Sequence, residues 1–125
     1  MNGLLLLSAA LATGLAIAHS VLGERYLLVR LFRRDDLPRL FGGQAFTVGT
    51  LRFAWHLTSV AWLGLAVLLV LAALDGLDRR SVLVTLGVTF LVSALLPLGW
   101  TRGRHLAWLP LATIGGIALL CAGRP

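Results

Sequence analysis

Four stretches of this chain, Gly3 to Leu22, Phe53 to Leu74, Ser81 to Gly99 and His105 to Ala122, contain no Asp, Glu, Lys or Arg. A predominantly apolar, uncharged run of about 18 residues or more is long enough to cross the hydrocarbon core of a bilayer as a helix. The sequence therefore predicts an all-α integral membrane protein, a four-helix bundle formed by residues 1–125 as one transmembrane domain. Composition agrees, because a chain that is 58% apolar and 13% charged exceeds what a small soluble core can bury. The strict alternation of a transmembrane β-barrel is absent.

Pro97 and Pro110 fall inside the third and fourth runs. A neighbouring helix or hydroxyl can satisfy the carbonyl that a proline frees, so kinks are expected there and not breaks. A secretory signal is the competing reading of the first run, with Ala16-Ile17-Ala18 as a small-residue cleavage site. The absence of Lys and Arg from residues 1–8 argues against it.

All eleven basic residues are Arg. Arg25, Arg30, Arg33, Arg34, Arg39, Arg52, Arg102 and Arg104 lie in or beside the first and third connections; Arg79, Arg80 and Arg124 lie on the opposite side. The positive-inside rule then places the first and third connections in the cytoplasm and both termini outside. Arg residues flanking spans are topogenic and meet lipid headgroups, and no soluble domain remains to read a nucleic acid, so the expected partner is the lipid bilayer and not a nucleic acid. Cys121, the single cysteine, reads as a small apolar packing residue.

The one long connection, Gly23 to Arg52, begins with Tyr26, Leu27, Leu28, Leu31 and Phe32 interleaved with Arg25, Arg30, Arg33 and Arg34. This pattern predicts a short amphipathic helix in the cytoplasmic interface between helices 1 and 2, or a continuation of helix 1 beyond the lipid. Asp35-Asp36-Leu37-Pro38 should end it. Gly42-Gly43 should turn the chain before Thr47 or Thr50 caps helix 2.

Antiparallel threading brings the three histidines to one side: His19 at the end of helix 1, His56 one turn into helix 2, His105 at the entry to helix 4. An ionisable group inside a span is costly and is expected to face other helices with a partner. Arg52, His56 and Ser59 share one helical face, and Glu24 lies just beyond the first span. The expectation is a His-lined polar pocket near the cytoplasmic face. In it His19, His56 and His105 act as ligands or proton carriers, Arg52 as an anion or carboxylate partner, and Glu24 as a ligand or as the acceptor that orients an imidazole. Three imidazoles and a carboxylate suit a transition metal, and two opposed imidazoles a b-type haem. A quinone, lipid or proton site and plain interfacial packing are the other readings.

Thr85, Thr89 and Ser93 form a second polar stripe in helix 3, read as packing because hydroxyls in spans bond their own backbone. Trp55, Trp100 and Trp108 read as an interfacial aromatic belt. No motif identifies an enzyme. The functional alternatives are a structural or assembly subunit of a larger membrane complex, a homo-oligomer among them, and a small transporter; the latter is weakened because no Asp or Glu falls inside any span.

The segments His19-Ser20-Val21-Leu22-Gly23-Glu24, Arg52-Phe53-Ala54-Trp55-His56 and Gly103-Arg104-His105 together resemble a family of small four-helix bacterial membrane proteins with an H-S-x-x-G-E segment after helix 1 and R-x-x-W-H in helix 2. The resemblance covers nearly the whole chain. It implies a four-helix fold and a bacterial inner-membrane location, and no reaction.

Overall fold

The computed structural model describes residues 1–41 and 43–124. It is all-helical among these residues. Helix α1 runs Gly3–Leu31, α2 Gln44–Ala73, α3 Arg79–Trp100 and α4 Trp108–Ala122. The first three are long and apolar enough to cross a membrane; α4 is apolar but only 15 residues long, about 22 Å at 1.5 Å per residue.

Local chemistry sets the ends. The side chain of Asn2 accepts hydrogen bonds from the N–H groups of Leu4 and Leu5 and starts α1. Asp78 starts α3 through a reciprocal capping box with Ser81: its carboxylate accepts the Ser81 N–H at 2.6 Å, and the Ser81 hydroxyl accepts the Asp78 N–H at 2.9 Å. That arrangement holds the exposed Asp78 carboxyl below its ordinary range, the Ser81 backbone N–H contributing most and the Ser81 hydroxyl next.

The amphipathic stretch after Leu22 is an extension of α1 and not a separate helix. It passes through a π-helical turn, Gly23–Leu28, before a last α-helical piece, Val29–Leu31. Helix α2 likewise begins nine residues before Phe53, at Gln44, because the charge of Arg52 marks the edge of the apolar run and not the end of the helix. Thr47 does not cap it; its hydroxyl donates to the Pro38 carbonyl at 2.7 Å, and Thr50 lies a further turn inside the helix. The predicted turn at Gly42 lies outside the described residues. In α4, Pro110 occupies the first turn, where a missing N–H costs nothing, so no kink is required there. Pro97 is inside α3, with its ring fully buried.

Threading is antiparallel. The Asn2 N–H donates to the Ala73 carbonyl at 2.9 Å, and Arg79 donates to the Arg124 carbonyl at 3.3 Å, which gathers both chain ends with the α2–α3 turn. At the other end Arg104 donates to the Phe41 carbonyl at 3.0 Å, joining the first and third connections.

The core is built of small residues. Ala9, Ala16, Ala66, Ala73, Ala94 and Ala122 are buried, while large side chains point outward, with Leu4 76%, Leu11 66% and Leu120 67% exposed. This reverses the pattern of a soluble helical protein and is how helices in lipid approach each other. Helices α3 and α4 also pack closely, and a β-carbon added to Gly115 would stand 2.8 Å from the Gly87 carbonyl oxygen. Backbone packing joins α1 to α2, α2 to α3 and α3 to α4. Among the described residues the backbones of α1 and α4 make no close approach to each other.

Candidate functional site

At the Arg-rich end of the α1–α2 seam, five side chains form one hydrogen-bonded chain. Ser20 and Glu24 lie four residues apart on α1, which places them on one face about a turn apart. They grip the two nitrogens of one imidazole: the Ser20 Oγ is 2.8 Å from His56 Nδ1, and the Glu24 Oε2 is 3.2 Å from His56 Nε2. Glu24 also takes Arg52, with Nη2 to Oε1 at 2.7 Å and Nε to Oε2 at 3.2 Å. On the inner side the Ser20 hydroxyl is 2.7 Å from that of Ser59. The side chains grade inward from Glu24, 33% exposed, through Arg52 at 28%, to His56 at 16% and to Ser59, which is buried.

The surroundings fix these groups. The π-helical turn begins at Gly23, whose α-carbon is packed against Trp55: a β-carbon there would stand 2.1 Å from the indole nitrogen. That same nitrogen donates to the His19 carbonyl at 3.0 Å. Single π-helical turns within α-helices recur at functional sites, where they re-aim side chains. On the outer side the Arg52 guanidinium lies over the Phe32 ring at 4.9 Å, and the His56 imidazole lies near-parallel to the Trp100 indole at 5.1 Å.

The other two histidines do not join this chain. His19 stacks on Trp55, with centroids 4.3 Å apart and planes 3° from parallel, and its Nε2 is 3.3 Å from the Trp55 carbonyl oxygen. His105 sits in the turn before α4. Its Nδ1 accepts the Ala107 N–H at 3.3 Å, and its ring meets the edge of Phe53 at 4.8 Å. The three imidazoles expected to converge therefore occupy three separate surroundings. Among the described residues no three His, Cys, Asp or Glu side chains come together to hold a metal ion. The reason is rotational: the three histidines lie toward the Arg-rich end, but a residue's depth along a helix does not set the direction in which its side chain leaves, and His105 stands in the turn outside any helix.

The polar stripe on α3 is spent locally. The Thr85 and Thr89 hydroxyls donate to the carbonyls of Ser81 and Thr85. Ser20 is the site residue that composition and spacing did not single out; its signal is its place four residues before Glu24 on a helix.

No family model matches this chain, and no curated protein or solved structure does either.

Proposed function

We propose that this chain is a multi-pass protein of the bacterial inner membrane, crossing it four times with both termini outside, and that the Ser59–Ser20–His56–Glu24–Arg52 chain is a proton-exchanging site at its cytoplasmic face. The membrane reading rests on the apolar helices, their exposed leucines and their alanine-rich core. The Arg distribution supports the orientation.

One observation carries the chemical reading: the contacts among the five side chains can be kept in two hydrogen-bond arrangements that differ by one proton. In the first, His56 carries a proton on Nε2 only and its Nε2–H donates a hydrogen bond to Glu24. Its Nδ1 accepts the Ser20 hydroxyl, which in turn accepts that of Ser59. In the second, both ring nitrogens donate, Nε2 to Glu24 and Nδ1 to Ser20, and the Ser20 hydroxyl turns to Ser59. Both states keep the contacts that run from Glu24 through His56 and Ser20 to Ser59; in the second the Ser59 hydroxyl accepts from Ser20 and its own proton turns away from the chain. A proton gained at His56 therefore breaks no hydrogen bond, and Glu24 lies against the new charge while Arg52 holds the carboxylate in place. Beyond Ser59 the α2 sequence continues as apolar residues to Ala73, so protons enter and leave by the Arg-rich end.

A second reading, an assembly subunit, is favoured by α1, which among the described residues packs its backbone against no helix but α2 and leaves an apolar outer face. Nitrogen-15 spectra of the imidazoles in the detergent-solubilised protein separate the two. The exchange site gives His56 as the Nε2–H tautomer at high pH and as the doubly protonated ring at low pH. A neutral Nδ1–H tautomer, or one protonation state throughout, would overturn it.

A further inference from the structure

The net charge of the chain is gathered at one end. Eight Arg lie there against Glu24, Asp35 and Asp36, a net of +5, while Arg79, Arg80 and Arg124 lie at the other end against Asp75 and Asp78, a net of +1. Two of the eight are neutralised within the chain: Arg52 pairs with Glu24, and Arg34 forms a bidentate pair with Asp36 at 2.6 and 2.8 Å. The other six, Arg25, Arg30, Arg33, Arg39, Arg102 and Arg104, are exposed and make no ion pair among the described residues. Six guanidinium groups with Asp35 as the one free carboxylate repel one another unless anions come from outside the chain.

The fold holds these charges on one joined surface. Gln44 Nε2 donates to the Asp35 carbonyl at 2.7 Å and to the Leu37 carbonyl at 3.3 Å, and the Thr47 hydroxyl donates to the Pro38 carbonyl, so the start of α2 ties down the connection that carries Arg33 and Arg39. Arg104 donates to the Phe41 carbonyl and lies over the Phe41 ring, which brings the α3–α4 connection alongside. Between the charges stand Tyr26, Leu27, Leu40, Phe41 and Leu106, from 48% to 71% exposed. A nucleic acid, charged along its whole backbone, would leave these apolar side chains uncovered. A bilayer interface accepts both kinds: apolar side chains enter the acyl boundary while the long Arg side chains reach the phosphates. A zwitterionic headgroup cancels the charge of its own phosphate, so a surface with surplus positive charge selects an acidic one.

We infer, on the membrane reading alone and independently of proton exchange at His56, that the joined first and third connections take the headgroups of acidic phospholipids from the leaflet at the Arg-rich end.

The test reconstitutes the full chain in phosphatidylcholine vesicles at low salt, with a trace of spin-labelled phosphatidylglycerol or spin-labelled phosphatidylcholine. Electron spin resonance then reads the fraction of each label immobilised at the protein. Wild type should prefer phosphatidylglycerol about fivefold, equivalent to about 1 kcal/mol, and salt near about 1 M should remove most of that preference. Arg30→Gln, Arg33→Gln, Arg39→Gln and Arg102→Gln together should bring the ratio close to one. Arg79→Gln with Arg80→Gln, at the opposite end, should leave it unchanged. If the quadruple variant does not reconstitute, Arg33→Gln with Arg39→Gln should show a partial loss. Three outcomes overturn the inference: equal immobilisation of the two labels by wild type; the same preference in wild type and the Arg-rich-end variants; or displacement of labelled phosphatidylglycerol more strongly by a short duplex DNA than by unlabelled phosphatidylglycerol at equal phosphate concentration. Immobilisation of neither label would overturn the membrane reading itself and the inference with it.

Discussion

The Trp55 indole occupies the space that a side chain on Gly23 would need, its nitrogen 2.1 Å from the position of a β-carbon there. Through this contact the π-helical turn and Glu24, the next residue, are held in register with α2. Gly23→Ala must push the helices apart or turn the indole from the His19 carbonyl, and overpacking of this kind costs about 1–3 kcal/mol. Trp55→Phe in the same chain relieves the clash. Thermal denaturation in detergent should give Gly23→Ala a clearly lower midpoint and the double variant a smaller loss than the two single changes combined. Equal midpoints for wild type and Gly23→Ala would show that this contact does not hold α1 against α2.

The ion pair between Glu24 and Arg52 should show its value through asymmetry. Glu24→Gln leaves a partly buried guanidinium unopposed and leaves a single side-chain oxygen where Arg52 and His56 use two. Breaking a fully buried pair costs about 3–5 kcal/mol, and at these exposures, near one third, solvent reduces it to about 1–2 kcal/mol. Glu24→Gln with Arg52→Gln should be less destabilising than the sum of the single changes. Additive losses in a double-mutant cycle would show that the two side chains act independently.

How far this arrangement is legible in the sequence depends on which geometry is asked for. Uncharged runs identify the helices, because length and composition act locally. Arg52, His56 and Ser59 fall on one face by helical periodicity alone. The partner across the seam is not written locally: Ser20 and Glu24 reach His56 because of the rotation of α1, which Gly23 and Trp55 set from two distant segments. The same ignorance of rotation makes His19 and His105 look like members of the cluster. Helix ends are also misjudged when a charge is read as a boundary, as Arg52 was for α2.

Topology is open to a direct test. Eight Arg near the first and third connections against three elsewhere should hold both ends of the chain outside. A reporter active only in the cytoplasm, fused after Pro125, should give no signal, while one inserted after Asp36 should be active. The reverse pattern would move the Ser20–His56–Glu24 chain to the outer face.

Asp78 ties the start of α3 to pH. Its folded-state pKa lies below the ordinary value of 3.8 because the Ser81 N–H and hydroxyl favour the carboxylate. Its contribution is therefore fully present above the unfolded value and is lost as pH falls through the lower folded one. Hydrogen exchange at the Ser81 amide should be slow near pH 6 and lose protection below about pH 4, after correction for intrinsic rates. Asp78→Asn should abolish that acid dependence. An acid loss of the same size in Asp78→Asn would assign it to another group.

Ser20→Ala separates proton exchange from simple helix attachment. Ser20 is the only link between His56 Nδ1 and Ser59 in the chain of five, so its removal leaves the Glu24–His56 and Glu24–Arg52 contacts in place. If these groups serve only to hold α1 on α2, the change costs about 0.6 kcal/mol, the average for a hydrogen bond between transmembrane helices, and nothing else follows. In the exchange reading it also removes the donor that satisfies Nδ1 when the ring is neutral and the acceptor that satisfies it when the ring is charged. The Nδ1 resonance should then lose its hydrogen-bond shift in both states, while Nε2, still facing Glu24, keeps its own. Ser20→Thr restores the hydroxyl and should restore the Nδ1 signal. A Ser20→Ala protein with unchanged Nδ1 and Nε2 spectra across the pH series would leave Ser20 a packing residue and end the five-membered chain at His56.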